Sequence, residues 1–219
     1  GAGVMSDAAA ALDWLAGDSL ENLPDFTGNP GVVNMSLGGK VGDSVCPVYL
    51  QNSIDKATAK GFTIVASAGN QSDDASLYIP AKCANVITVG AANQGIEGTP
   101  ADIASISNYG EHINVMAVGE YVPSLSNNDE VNYWSGTSFA APLVSGMIAS
   151  VSKDFDFTPQ QWAMLVELSS VNRWVEGSQC EVLGCGKGIL DAAVLYTNAQ
   201  RLQNGELDSA TYSLNAVPA

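Results

Sequence analysis

Basic residues are scarce in this chain. Its 219 residues include 8 Lys and Arg against 23 Asp and Glu, with a single His, for a formal net charge of −15. Binding to a nucleic-acid backbone needs clustered Lys and Arg, so the composition argues against a nucleic-acid partner. The same charge argues against attraction to an anionic membrane surface.

Long hydrophobic runs are also missing. The longest apolar stretches, residues 64–68 and the segment around 142–149, fall far short of the roughly 20 residues that span a bilayer. Residues 1–12 have neither the basic region nor the cleavage site of a signal peptide. We therefore expect no membrane-spanning segment, and we expect the chain to begin after the start of its domain.

The four cysteines have no CxxC spacing, and the single His112 cannot complete a Cys/His zinc site with them. No metal or cofactor site is therefore predicted. An even number of widely spaced cysteines indicates two disulfides and an exported protein. Four buried thiols are the alternative, and the sequence leaves three disulfide connectivities open.

What the chain does contain is an alternation of buried strands and helices. Apolar runs of strand length occur at residues 31–37, 62–67, 86–91 and 113–118, and helical patterns at 7–16, 48–60, 137–152, 158–168 and 191–203. This order predicts an α/β fold, a mostly parallel sheet with helices on both faces. We assign residues 1–204 to one domain and 205–219 to a polar tail or linker.

The residues that carry chemistry are concentrated in the segment SGTSFAAP, residues 135–142. Ser138 stands where a loop enters a helix, so free backbone N–H groups and the helix dipole favour a negative charge beside it. That environment suits a serine nucleophile and its oxyanion. A serine at a helix start is often only a cap, but Asn70 ends a buried strand and could donate to the same oxyanion. An Asn after Gly is otherwise usually a turn residue.

Residues 136–142, GTSFAAP, match the nucleophile motif GTSxAxP of the subtilisin-like serine proteases, and residues 33–38 and 65–70 resemble two further family segments in the family's order. The resemblance runs from about residue 4 to 193 and is greatest to secreted bacterial members with two disulfides. It implies that Ser138 is the nucleophile and that its N–H and the Asn70 side chain form the oxyanion hole. The substrate-binding residues that it implies are Ser36, Leu37, Gly38, Ala68, Gly69, Gly136 and Thr137.

The family also uses a catalytic Asp and His that precede the Ser in the chain, and neither motif occurs here. His112 aligns with a surface turn, so we expect the Asp and His upstream of Gly1. A truncated protease is the account we favour; one chain of a nicked enzyme and a degenerate homologue are the others. The expected function is a secreted serine endopeptidase acting on polypeptides, with this chain inactive alone. The alternative is an inactive, protease-like peptide-binding domain.

The resemblance carries three more expectations. It pairs Cys46 with Cys83 and Cys180 with Cys185. Structural calcium is common in the family, but no Asp-x-Asp-x-Asp-Gly loop is present here. The two walls of the pocket for the residue before the scissile bond (P1) contain no acid. A large apolar P1 side chain is therefore expected, with Tyr78 near the floor of the pocket.

Overall fold

The computed structural model describes residues 3–95, 101–127, 129–171, 174, 176–209 and 212. Helices in these parts of the chain are α1 Met5–Ala16, α2 Val48–Ala59, α3 Thr137–Val151, α4 Pro159–Leu168, α5 Gln179–Leu183 and α6 Ala192–Gln203. The strands are β1 Val32–Met35, β2 Gly39–Lys40, β3 Thr63–Ser67, β4 Tyr78–Ile79, β5 Val86–Ala92, β6 Val115–Val118, β7 Val122–Leu125, β8 Val131–Trp134, β9 Ser170–Val171 and β10 Ile189–Leu190.

A six-stranded sheet in the order β1-β3-β5-β6-β10-β9 forms the centre of the fold. Its strands run parallel except β9, which pairs antiparallel with β10. Strands β3 and β5 are buried along their whole length, as expected for parallel strands that are covered on both faces. The short pairs β2–β4 and β7–β8 form two separate antiparallel ribbons.

Successive side chains of β3 point into two different cores. Val65 packs in a cluster with α3, α4 and α6, whereas Ile64 and Ala66 pack in a cluster with α1 and α2. This is the period-2 alternation of a strand between two layers of helices. The predicted fold class, a mostly parallel sheet with helices on both faces, is confirmed.

Two residues that follow α6 pack against the core of the domain. Leu207 and Tyr212 pack against the larger core cluster, and burial raises the pKa of the Tyr212 hydroxyl far above its usual range. The domain boundary at residue 204 stays a prediction.

Both disulfides implied by the resemblance are present, Cys46–Cys83 and Cys180–Cys185. The first joins the start of α2 to the segment after β4, over a sequence separation of 37. The second joins Cys180 in α5 to Cys185 just after this helix, over a separation of 5. Two disulfides agree with an oxidising, extracellular environment.

Removing the first disulfide should destabilise the chain more than removing the second. Stabilisation by a cross-link grows with the logarithm of the loop it closes, which gives the Cys46–Cys83 bridge an advantage of about 2 kcal/mol. Urea unfolding of the double variants C46A/C83A and C180A/C185A measures the two losses. Equal losses, or a larger loss for the second pair, would contradict the loop-length argument.

Candidate active site

Two neighbouring strands bring the predicted site segments together. In the parallel register of β1 and β3, Met35 lies opposite Ala66, so the segments that follow the two strands leave the sheet at the same edge. A cavity of about 410 Å³ opens there. It is lined by Ser36, Leu37, Gly38, Gly39, Lys40, Ser67, Ala68, Gly69, Asn70, Gln71, Tyr78, Ile79, Thr137 and Ser138. Eight of the nine predicted site residues therefore share one cleft, and Gly136 lies next to them.

Ser138 is the second residue of α3 and does not cap this helix. The N-cap is Gly136, whose extended backbone is fixed by a hydrogen bond of 2.7 Å from its N–H to the Gly119 carbonyl. No side chain caps the helix, so the Ser138 hydroxyl is not used for capping. Pro142 is the sixth residue of α3 and has no N–H for the Ser138 carbonyl four positions back, but that carbonyl accepts from the Ser36 hydroxyl instead.

Asn70 is held so that its amide nitrogen is left for a ligand. Its Oδ1 accepts hydrogen bonds from the N–H and the hydroxyl of Thr137, both at 2.8 Å. The Thr137 hydroxyl in turn accepts from the Gly69 N–H at 3.2 Å. With Oδ1 occupied by Thr137, the Asn70 side chain presents Nδ2 to the cleft.

The nitrogens of the two predicted oxyanion donors lie close together beside Gly136. A Cβ atom placed on Gly136 would lie 3.3 Å from Asn70 Nδ2 and 3.7 Å from the Ser138 nitrogen. Side-chain and backbone donors around one such space are the arrangement that stabilises the oxyanion of acyl transfer. The glycine at 136 keeps that space open.

A methyl group at position 136 should therefore impair catalysis by a longer protein that also supplies the catalytic base. We expect Gly136→Ala to lower kcat about ten- to a hundredfold, since small displacements at a reacting centre are costly. Gly31→Ala is the matched control, because a Cβ at Gly31 meets nothing within 4 Å. Steady-state kinetics of both variants test this, and an unchanged kcat for Gly136→Ala would show that the space is not used.

Asn108 supports the oxyanion segment, and its role was not predicted. It is fully buried, its Nδ2 donates to the Ala68 carbonyl at 2.9 Å, and its Oδ1 accepts from the Gln71 N–H at 2.9 Å. Gly69 has a φ of +108°, and a side chain there would overlap the Asn108 amide. Nothing in the residue types of the segment SNYG, residues 107–110, indicates which contacts Asn108 makes.

A second polar chain connects the nucleophile helix to β1. The Ser36 hydroxyl donates to the Ser138 carbonyl at 2.9 Å and accepts from Asn34 Nδ2 at 2.9 Å. The Ser145 hydroxyl, further along α3, lies 3.2 Å from Asn34 Oδ1 and donates to it. These hydrogen bonds fix the end of β1 relative to the first turns of α3.

Two residues of the cavity lining, Lys40 and Tyr78, both contact the carboxylate of Asp73. The sequence does not indicate this group. Lys40 Nζ lies 2.7 Å from Asp73 Oδ2, and the Tyr78 hydroxyl donates to the same oxygen at 3.1 Å. The hydrogen bond from Lys40 lowers the pKa of Asp73, and that bond also raises the pKa of Lys40. Burial raises the pKa of Tyr78. The predicted floor residue Tyr78 does line the cavity, and it is anchored to an ion pair.

His112 lies in the loop between β5 and β6. Burial lowers its pKa, and the charged side chains that act on it are Asp74, Lys82 and Glu111. The chain has no other histidine. Nothing in this environment resembles a base aimed at Ser138.

Within the parts of the chain that the structure describes, no three His, Cys, Asp or Glu side chains come together as possible metal ligands. None of the helices that the structure describes is long and apolar enough to cross a bilayer.

The structure is an α/β domain whose cleft, beside the N-terminus of α3, is lined by both Ser138 and Asn70. The profile of the Subtilase family matches residues 1–203, and the chain belongs to this family. An extracellular protease of Xanthomonas campestris pv. campestris is 35% identical over 204 residues, which cover 90% of this chain and 33% of that protein. The extracellular basic protease of Dichelobacter nodosus is 37% identical over 156 residues, 68% of this chain and 24% of the relative.

Solved structures of proteases have a similar fold. A protease from Pseudoalteromonas arctica matches with a TM-score of 0.75 and 31% identity, covering 90% of this chain and 59% of that one. A cold-adapted subtilisin-like serine proteinase matches with a TM-score of 0.65 and 27% identity, covering 87% of this chain and 61% of that one. The chain spans about a quarter to a third of the length of the curated relatives named above.

Proposed function

We propose that this chain is the nucleophile-bearing part of a secreted serine endopeptidase. The observation that supports the proposal is that Asn70 and Ser138 line one cleft with Asn70 Nδ2 and the Ser138 nitrogen near each other, while Asn70 Oδ1 is bonded to Thr137. The Ser138 hydroxyl would pass its proton to a base and attack the peptide carbonyl, and the two N–H groups would donate hydrogen bonds to the oxyanion. Cleavage of the C–N bond would release the amine, which takes that proton from the base, and water would then hydrolyse the acyl-enzyme on Ser138.

The substrate would be an extended polypeptide. Ser36, Leu37 and Gly38 follow the end of β1 and line the cleft with backbone that is partly exposed. A peptide can bind along such a segment as an added strand, so that main-chain hydrogen bonds supply affinity without a sequence requirement. Ala68 and Gly69 would form the opposite wall.

The general base and the carboxylate that orients it would come from residues outside this chain, in the same polypeptide or in a second one. Two surfaces next to Ser138 support this. Strand β1 is an edge strand of the six-stranded sheet, and an edge strand can pair with a further segment. Helix α3 contains no charged residue, yet it exposes one side of the helix.

That exposed side of α3 borders an apolar groove. Pro142, Leu143 and Gly146 lie along it, with Met147 and Tyr196 beside them, around a volume of about 540 Å³. Uncharged helices are usually buried on all sides. The segment that carries the base would cover this groove and the edge of β1, both within reach of the nucleophile.

A secreted location rests on the two disulfides and on the relatives, which are named extracellular proteases. A high negative charge keeps an exported protein soluble.

Labelling with a fluorophosphonate tests the proposed function. The probe reacts with a serine that is activated by a base. A longer protein that supplies the base should therefore be labelled at Ser138, and the amount of label should rise with the concentration of this protein. We call this longer protein the completed enzyme. Ser138→Ala is the matched control and should abolish labelling.

The same experiment distinguishes the peptide-binding alternative. A completed enzyme that binds extended peptides but neither reacts with the probe nor hydrolyses peptides would be an inactive, protease-like binding domain. Labelling at a serine other than Ser138 would overturn the assignment of the nucleophile.

A further inference from the structure

The end of the substrate cavity carries a positive charge. Lys40 lines the cavity, and β2 pairs it with Tyr78 of β4 in an antiparallel register, so both side chains lie on the same face of this ribbon. Lys40 Nζ accordingly lies 5.7 Å from the centre of the Tyr78 ring. The ammonium group thus lies beside the residue that narrows the pocket.

Asp73 balances this charge from outside the lining of the cavity. Its Oδ2 is 2.7 Å from Lys40 Nζ, and its Oδ1 accepts from the Asp74 N–H at 2.9 Å. An ammonium group has three donors. After the contact with Asp73, Lys40 can still donate to a further acceptor that enters the cavity.

We propose that Lys40 is a specificity-determining residue of this cleft, which rejects Lys and Arg at P1 and accepts long uncharged side chains that end in a hydrogen-bond acceptor, glutamine above all. The inference rests on the proposed function and goes beyond it, because small apolar walls without an acid favour apolar P1 side chains and offer no partner to a polar one. A cation at P1 would meet the ammonium of Lys40 while Asp73 is already paired. Such a repulsive element is an effective source of specificity.

Glutamate at P1 is a separate case, because the ion pair between Lys40 and Asp73 determines how well the cleft binds a carboxylate. The carboxylate of such a substrate would approach Lys40 but also Asp73, whose charge opposes it. The wild-type cleft should therefore prefer glutamine to glutamate. Removing the charge of Asp73 should release Lys40 for an acidic side chain.

The chain offers a well-matched control pair. Lys56 and Asp18 form an ion pair of 2.8 Å in which the lysine side chain is 50% exposed, against 55% for Lys40. Lys56 lies on α2 and Asp18 follows α1, away from the cavity. Lys56→Met and Asp18→Asn change the net charge as Lys40→Met and Asp73→Asn do.

The test measures kcat/KM of the completed enzyme on peptides that differ only at P1, namely Leu, Gln, Glu and Lys. Lys40→Met should raise the Lys-to-Leu ratio and lower the Gln-to-Leu ratio, each by about fivefold, the effect of a partly exposed charge. Asp73→Asn should raise the Glu-to-Leu ratio by a similar factor. Lys56→Met and Asp18→Asn should leave all ratios as in the wild type.

A second measurement separates this inference from the proposed function. Calorimetry measures the binding of N-acylated tetrapeptide acids that end in Leu, Gln, Glu or Lys, and this binding needs no acyl transfer. Lys40→Met should shift the ratios of these affinities in the same directions as the ratios of kcat/KM. Missing fluorophosphonate labelling would overturn the proposed function alone. Ratios that do not respond to Lys40→Met, or that respond equally to Lys56→Met, would overturn the role of Lys40.

Discussion

Alone, this chain should hydrolyse peptides several orders of magnitude more slowly than the completed enzyme. The proposed nucleophile and oxyanion donors are present, but the single histidine of the sequence, His112, lies between β5 and β6 and does not line the cleft. Removal of a triad member in the serine proteases leaves a residual rate of about 10³–10⁴ over water, which arises from binding and the oxyanion hole. The measurement is turnover of a chromogenic peptide by the chain and by the completed enzyme at equal concentrations of protein.

His112 provides the control for this prediction. Burial lowers its pKa, so it is largely neutral at pH 7 and chemically able to act as a base. We expect His112→Gln to leave the residual rate of the chain unchanged. Full turnover by the chain, lost in His112→Gln, would show that this histidine is the base and that no other segment is required.

The fold and the centre of the site could be predicted because both are encoded locally. Continuous apolar runs indicate buried parallel strands, and residues 62–67 and 86–91 correspond to β3 and β5 within one residue at each end. The motif around Ser138 places a nucleophile and a helix start within a few positions of each other. Because parallel strands end at the same edge of a sheet, Asn70 and Ser36 also had to approach this helix.

The far end of the cavity could not be predicted, since it depends on contacts between segments far apart in the chain. Lys40 and Asp73 are separated by 33 positions, and each alone reads as a solvated surface charge. Their pairing follows from the β2–β4 ribbon, whose strands have two residues each and give no periodic signal. The buried support by Asn108 was missed for the same reason, because its partners lie 37 and 40 positions away.

The oxyanion hole also determines how the enzyme should respond to changes at Asn70. In Asn70→Leu the Nδ2 donor is lost, together with the acceptor that Thr137 uses. We expect kcat of the completed enzyme to fall about 10²–10³-fold, the magnitude known for the corresponding asparagine of a subtilisin, a member of this family. The KM should change little, because the donor acts on charge that develops only in the transition state.

Thr137→Val separates the donor from its support. This variant keeps Asn70 Nδ2 and the Thr137 N–H bond to Oδ1, but it loses the hydroxyl that donates to Oδ1 and accepts from Gly69. If Thr137 only orients the amide, kcat should fall by less than in Asn70→Leu, and the double variant should be no slower than Asn70→Leu alone. Effects that multiply in the double variant would mean that the two side chains act independently, and that Thr137 does not work through the oxyanion hole.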